Sequence, residues 1–186
     1  MGKKKIETPL SNAYRFLHPM HTVLVTCAEK AGKANIITLA WAMPTSINPP
    51  LVAISIKPSR HSYKLIRETQ EFAVNIPTME IVKETLFCGR RSGKNHDKFK
   101  ETKLTSLPAK TIKAPIIKEC VAYLECKLQQ MFVTGDHTIF VGEVIEAYSN
   151  EESFKEEFDI EKTKLIYHLG GNKFATLIPK IVEPSL

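Results

Sequence analysis

Short apolar runs alternate with polar turns along most of the chain, and the spacing predicts strands more often than helices. His21–Cys27 is rich in β-branched residues, at Thr22, Val23, Val25 and Thr26, and predicts a strand. Glu29-Lys30-Ala31-Gly32-Lys33 reads as a turn and Ala34–Ala40 as the returning strand. Leu51–Ile56 is almost wholly apolar, as a buried strand requires, and Glu71–Ile76 is a further short strand. Cys120–Val133 predicts a long strand. Cys120, Ala122, Leu124, Cys126 and Leu128 share one face at period two; Glu125, Lys127 and Gln129 share the other. Gly135-Asp136 turns the chain into His137–Tyr148, the partner of that strand. Gly170-Gly171-Asn172 divides Leu165–Leu177 into two short segments.

Two helices interrupt this pattern. One opens at Pro58 and Ser59, with Ser59 as N-cap, and runs to about Thr69. The other spans Met79–Cys88, capped by Thr78 and ended by Gly89. Trp41–Pro50 reads as irregular, because Pro44, Pro49 and Pro50 cannot serve a continuous central ladder. Met1–Asn12 is a polar lead-in. Gly89–Lys103 is a basic loop with one helical turn near Asp97, Thr105–Pro115 is loop, and Ser153–Asp159 is a charged loop or short helix. The pattern predicts a mainly β fold: an antiparallel barrel with helical insertions, in one domain spanning 1–186.

Composition narrows the class. Hydrophobic residues make up 43% and charged residues 25%, as in globular proteins that are not membrane-embedded. No apolar run is long enough to cross a bilayer, and no apolar segment follows the basic Met1–Lys5 as a signal peptide would require. The net charge of +6 suits anionic ligands, but Lys and Arg are dispersed, which disfavours a dedicated nucleic-acid surface. Cys27, Cys88, Cys120 and Cys126 show no framework spacing and fit reduced thiols in a cytoplasmic protein. Neither a dinucleotide fingerprint, a phosphate-binding Walker loop nor a His-Glu-x-x-His helix is present.

One stretch carries candidate chemistry. Ser59, Arg60, His61 and Ser62 stand at the predicted helix start, where unpaired N–H groups and the macrodipole attract anions. Arg60 is the better phosphate ligand of the group, since guanidinium pairs phosphate bidentately. The preceding Met43-Pro44-Thr45-Ser46 turn sets polar groups beside an apolar wall, which suits a flat heteroaromatic ring. A ring site beside a phosphate site points to a mononucleotide-type cofactor. Taken singly, each of these residues also reads as an ordinary cap or turn residue.

These residues carry a resemblance to the flavin reductase-like family, the FMN-binding split barrels, and within it to the flavoredoxin-like branch. The matching segments, in order, are Thr38–Pro50, Ser59–Ile66 with Phe72–Asn75, the Ser92-Gly93-Lys94 to Asp97-Lys98-Phe99 loop, and Gly135-Asp136-His137. The resemblance implies a six-stranded antiparallel Greek-key split barrel, a homodimer, and FMN near the subunit interface. It sets the Met43, Thr45 and Ser46 turn against the flavin ring and Ala40 and Trp41 along the ring or ribityl chain. It puts the phosphate at Ser59, Arg60, His61 and Ser62, brings Asn75 near the cofactor, and lets Ser92 and Lys98 approach it from their loop. His137 borders the place where hydride donor and flavin meet, as a neighbour rather than an obligatory acid. The implied activity is NAD(P)H-dependent flavin reduction. The alternatives are a ferric-complex reductase using the same flavin, or a flavoredoxin-like electron carrier reduced by a partner protein. A flavin-free nucleic-acid-binding barrel is opposed by the Thr38–Ser62 motifs. For the dimer, the sequence offers Val121, Tyr123 and Met131 as apolar residues on the mixed face of the long strand.

Overall fold

The computed structural model describes residues 4–184; Met1, Gly2 and Lys3 of the lead-in lie outside them. After a 3-10 turn at Leu10–Leu17 come β1 (Met20–His21), β2 (Val23–Ala28), β3 (Ala34–Leu39), β4 (Ala42–Ser46) and β5 (Leu51–Ile56). Helix α1 (His61–Thr69), strand β6 (Glu71–Ile76), a 3-10 turn (Met79–Ile81), α2 (Val82–Arg90) and α3 (Lys98–Thr102) follow. The chain closes with β7 (Ser106–Leu107), β8 (Ile116–Ile117), β9 (Ala122–Thr134), β10 (His137–Ser149), β11 (Tyr167–Gly170) and β12 (Lys173–Ala175).

Seven strands form one antiparallel sheet in the order β3-β2-β6-β9-β10-β5-β4. β3 and β4 stand at opposite edges, yet only Ala40 and Trp41 join them. The sheet must therefore curl until its edges meet. β3 packs on β5, and Ser55 N–H donates to the Trp41 carbonyl at 2.9 Å. This is the expected split barrel, with one strand more than expected. The extra strand is β4, in the segment expected to be irregular. Pro44 sits there at a sheet edge, where its missing N–H breaks no ladder, and the register shifts between Pro44 and Ser46.

Alternation along the central strands divides the core in two. Val23, Val25 and Cys27 of β2 and Phe72, Val74 and Ile76 of β6 fill the barrel interior with Ile54, Ile56 and Phe140. Leu24 and Ala73, one step out of phase, face Ile112, Ile116, Ile117 and Tyr123 in a second cluster. β2 is buried along its whole length, and its one polar side chain, Thr26, donates its hydroxyl to the Pro115 carbonyl.

Four local expectations change. Helix α1 begins at His61, with Arg60 at the N-cap and no side-chain cap bond, because Lys57–Arg60 first closes a turn. Gly89 lies inside α2 rather than ending it; a Cβ there would come 3.2 Å from Thr38 Cβ, so the helix sits close on β3. Cys120 precedes β9 and packs in the second cluster, apart from Ala122, Leu124, Cys126 and Leu128. Tyr123 is buried, and Val121 and Met131 pack on the barrel core, so these three do not form a free apolar face. Among the described residues no helix is long and apolar enough to cross a membrane.

Candidate functional site

The split in the barrel leaves a cleft of about 280 Å³. Its floor is the end of β3 with Ala40 and Trp41, and the end of β5 with Lys57. One wall is the Thr85–Arg90 face of α2. The mouth is aromatic: Tyr14, His18, His137, His168 and Phe174 gather from both ends of the chain and from the start of β10. Their rings touch in series. Trp41 lies 4.8 Å from His137 and 5.8 Å from Tyr14, and His18 lies 5.5 Å from His168, centroid to centroid. Aromatic walls of this kind suit a flat ring.

A second, smaller pocket of about 70 Å³ opens beside the cleft and shares Ile37, Arg60 and Gly89 with it. Its lining is basic and polar: Ser59, Arg60, His61, Ser62, Arg91, Ser92 and Lys98 surround it with Asn35. α1 starts here without a side-chain cap; Tyr63 N–H donates to the Arg60 carbonyl at 3.1 Å, which leaves the His61 and Ser62 N–H groups to another acceptor. Lys98 is buried, and its Nζ donates to the Ile36 and Cys88 carbonyls at 2.6 Å each. Burial lowers its pKa to about 8. Among the described residues no carboxylate pairs with it, and an ammonium has a third proton to give. Burial also lowers the His61 pKa, opposed by Glu29 at 3.8 Å. The neighbouring Cys88 is pushed up to about 12 by burial and stays a thiol.

Unpartnered polar atoms mark both pockets. Thr22 Oγ1, Thr85 Oγ1 and His18 Nδ1 border the cleft and Asn35 Oδ1 borders the smaller pocket, each buried without a hydrogen-bond partner among the described residues. Native proteins rarely leave buried polar atoms unpaired, so a cluster of them along one groove fits a bound polar ligand. The gradient from aromatic mouth to basic end fits a ring carrying a phosphate.

The sequence-derived candidates divide three ways. Ala40, Trp41, Arg60 and His137 border the cleft, and Ser59, Arg60, His61, Ser62, Ser92 and Lys98 border the basic pocket. Met43, Thr45 and Ser46 lie on edge strand β4 and border neither, Met43 and Thr45 being exposed. Asn75 is fully buried elsewhere. Its amide donates to the Leu24 carbonyl at 3.0 Å and accepts from Ile117 N–H at 2.8 Å, so it ties β6 to β2 and β8. Arg91 belongs to the basic Gly89–Lys103 loop, but nothing along the chain singles it out there; Thr22, Asn35, Thr85 and the mouth residues Tyr14, His18, His168 and Phe174 carry no site signal in the sequence, being distant along the chain and brought together by the fold.

The description "Flavin reductase like domain" matches residues 14–175. A flavin reductase of Pseudomonas putida is 28% identical over 156 residues, covering 83% of this chain and 82% of its own. Among solved structures, the flavoredoxin of Methanosarcina acetivorans superposes with a TM-score of 0.84 at 30% identity, covering 100% of this chain and 96% of its own. The flavoredoxin of Desulfovibrio vulgaris (Miyazaki F) gives a TM-score of 0.84 at 25% identity, covering 98% and 97%.

Proposed function

The chain belongs to the flavin reductase like domain family, and from that premise we propose that it is an FMN-binding redox protein that reduces its flavin with NAD(P)H. The observation that carries this reading is the joined pair of pockets, one aromatic with orphaned hydroxyls, the other basic at an uncapped helix start. Arg60, Arg91, Ser59 and Ser92 would hold the phosphate, with Lys98 behind them and His61 and Ser62 completing the wall. Ala40 and Trp41 would line the ring and ribityl portion, with Thr22 and Thr85 offering hydroxyls. When bound, the flavin supplies hydride and single-electron chemistry; the protein supplies placement, polarity and exclusion of water.

The remaining parts of the reading have separate supports. The one-domain organisation over 1–186 is supported by the sheet running from β2 to β10, and a cytoplasmic setting by four buried free cysteines. We place Met43, Thr45 and Ser46 at the cofactor on the resemblance alone; Asn75, buried with its amide committed to Leu24 and Ile117, is a structural residue and not a ligand. A homodimer is supported by exposed apolar side chains at Met43, Ile47, Phe132 and Val133.

A visible spectrum and an FMN titration test the cofactor. Yellow protein, or FMN binding at micromolar concentration, is expected; absence of both would remove the central claim. Similarity to two flavoredoxins favours a second reading, an electron carrier reduced by a partner protein. Stopped-flow mixing of FMN-loaded protein with NADH or NADPH separates the two. A reductase bleaches its flavin within seconds, whereas a carrier bleaches only with dithionite or its partner.

A further inference from the structure

Lys98 carries a buried positive charge that no described residue neutralises. It is 4% exposed, and its Nζ donates to one carbonyl of edge strand β3, Ile36, and to one from the last turn of α2, Cys88. Both partners are neutral dipoles. The groups that face it from the packed elements are the Cys27 thiol on β2, the Cys88 thiol on α2, Arg60 at the N-cap of α1 and His61 in its first turn. Arg91, just after α2, borders the same pocket. Burial pushes the two thiols up to about 11 and about 12, so neither supplies a thiolate. The nearby carboxylates are committed elsewhere: Asp97 accepts from Lys100 N–H, Glu101 meets His96 at 3.0 Å and Glu29 meets His61 at 3.8 Å. Among the described residues no ion pair joins Lys98 to Glu84, the carboxylate one turn before Cys88 on α2. A buried ammonium without a counter-ion is costly, and burial lowers the Lys98 pKa to about 8. The missing counter-charge belongs to whatever fills the pocket that Lys98, Arg60 and Arg91 border.

We propose that the basic pocket binds a divalent oxyanion together with a proton taken up by Lys98, and releases the anion as the solution becomes alkaline. Arg60 and Arg91 stay charged at any working pH and supply an attraction that does not titrate. Lys98 adds the part that does. In the empty pocket burial works against its ammonium; a bound dianion favours the ammonium and raises its pKa. Below the free value, about 8, Lys98 is charged in both states and no proton moves. Between the free and the bound value, binding draws in one proton, and affinity falls about tenfold for each pH unit. His61 would titrate in a different window, because burial sets its pKa below 6.5. A neutral amine still has two N–H groups for the Ile36 and Cys88 carbonyls, so losing the proton empties the third position without unlocking β3 from α2. Anion binding is a property of the flavin-free protein. The use of this seat by a flavin phosphate rests on the flavin-reductase reading.

The test has two arms that fail separately. The first uses sulfate, a dianion that does not itself titrate in the range studied. Calorimetry on the flavin-free full chain, in two buffers of different ionisation enthalpy, counts the protons taken up. Little uptake is expected at about pH 7 and most of one proton at about pH 9, with sulfate affinity falling about tenfold for each further pH unit. Lys98→Arg keeps the charge without the titration and should show no such fall. Wild type alone can overturn the proposal: by binding no sulfate at about 10 mM, by a level affinity from about pH 7 to 10, or by uptake confined below about pH 6.5, where His61 titrates. An alkaline fall that persists in Lys98→Arg overturns it as well. In the second arm, FMN should lose affinity over the same alkaline range and riboflavin should not, the ring's own ionisation being common to both. Equal profiles overturn the assignment of this seat to the flavin phosphate and leave the sulfate result in place. Proton-linked sulfate binding in a protein that takes no FMN keeps the proposal and removes the flavin reading alone.

Discussion

A Cβ built on Gly93 would stand 1.8 Å from Asn35 Oδ1, so the loop after α2 meets β3 with no room for a side chain. Asn35 Nδ2 in turn donates to Ser62 Oγ at 2.7 Å. Three separate segments are thus locked in line behind the basic pocket. The Ser92–Phe99 loop looks like a solvated basic segment in sequence, yet its glycine, its buried Lys98 and Phe99 all pack inward.

Gly93→Ala should therefore act on both stability and the pocket. The added methyl must displace Asn35, which breaks the bond to Ser62. Overpacking of this kind costs about 1–3 kcal/mol. Thermal unfolding and FMN titration should both worsen. An alanine variant with wild-type melting temperature and FMN affinity would contradict this account of the contact.

Arg60 is the one basic side chain common to cleft and pocket. If it holds a phosphate, Arg60→Ala should weaken FMN binding by about tenfold or more, since hydrogen bonds to charged groups contribute about 1.5–3 kcal/mol. Riboflavin, which lacks the phosphate, should bind with little change. Paired calorimetric titrations measure the difference. Equal losses for both ligands would move the phosphate away from α1.

Glu125 is fully buried, although it lies on the mixed face of β9 that it shares with Lys127 and Gln129. Its carboxylate accepts from Lys110 N–H at 2.7 Å, Thr111 N–H at 2.8 Å, Thr111 Oγ1 at 2.7 Å and Tyr148 OH at 2.8 Å. It therefore anchors the loop between β7 and β8. Burial raises its pKa, but these donors outweigh burial and hold it below the ordinary 4.5. A depressed carboxyl stabilises the fold fully above the unfolded value and loses that contribution as pH falls through the folded one. Glu125→Gln presents an amide to four donors and should cost on the order of 2 kcal/mol at neutral pH. The gap between variant and wild type should narrow below pH 4.5. Urea unfolding across that range measures it; a gap independent of pH would assign the cost to packing.

Legibility in the sequence followed how local each cause was. β5 and β6 were readable to the residue, because an apolar run bounded by turn residues needs no partner to be recognised. The anion-binding stretch was readable too, since Ser59–Ser62 are neighbours in the chain. Glu125 and Asn75 were not. Their burial depends on the loop and strand that later cover them, at Lys110–Thr111 and Ile117. Pro44 misled because a proline forbids only a central strand, and the order of strands decides which are edges. Thr22 and Thr85 are 63 positions apart, and no pattern along the chain links two threonines that barrel closure brings to one cleft.

The last expectation concerns assembly. Met43, Ile47, Phe132 and Val133 are 58%, 95%, 50% and 80% exposed, on the two hairpins β4–β5 and β9–β10. On the homodimer reading proposed above, these side chains would pack on a second copy, which brings the same residues in return. Met43, Thr45 and Ser46 border no pocket of their own chain. If the resemblance is right to set them beside the flavin, FMN completes its site best in an assembled dimer. FMN should then favour the dimer by mass action, because a ligand that prefers the assembled form shifts its equilibrium. Sedimentation velocity with and without FMN, over a dilution series, measures that shift. Like charge at the hairpin tips should oppose it: Ile47→Glu with Val133→Glu should raise the dimer dissociation constant and weaken FMN binding together. A monomer that holds FMN with unchanged affinity down to nanomolar protein would show that one chain builds the whole site.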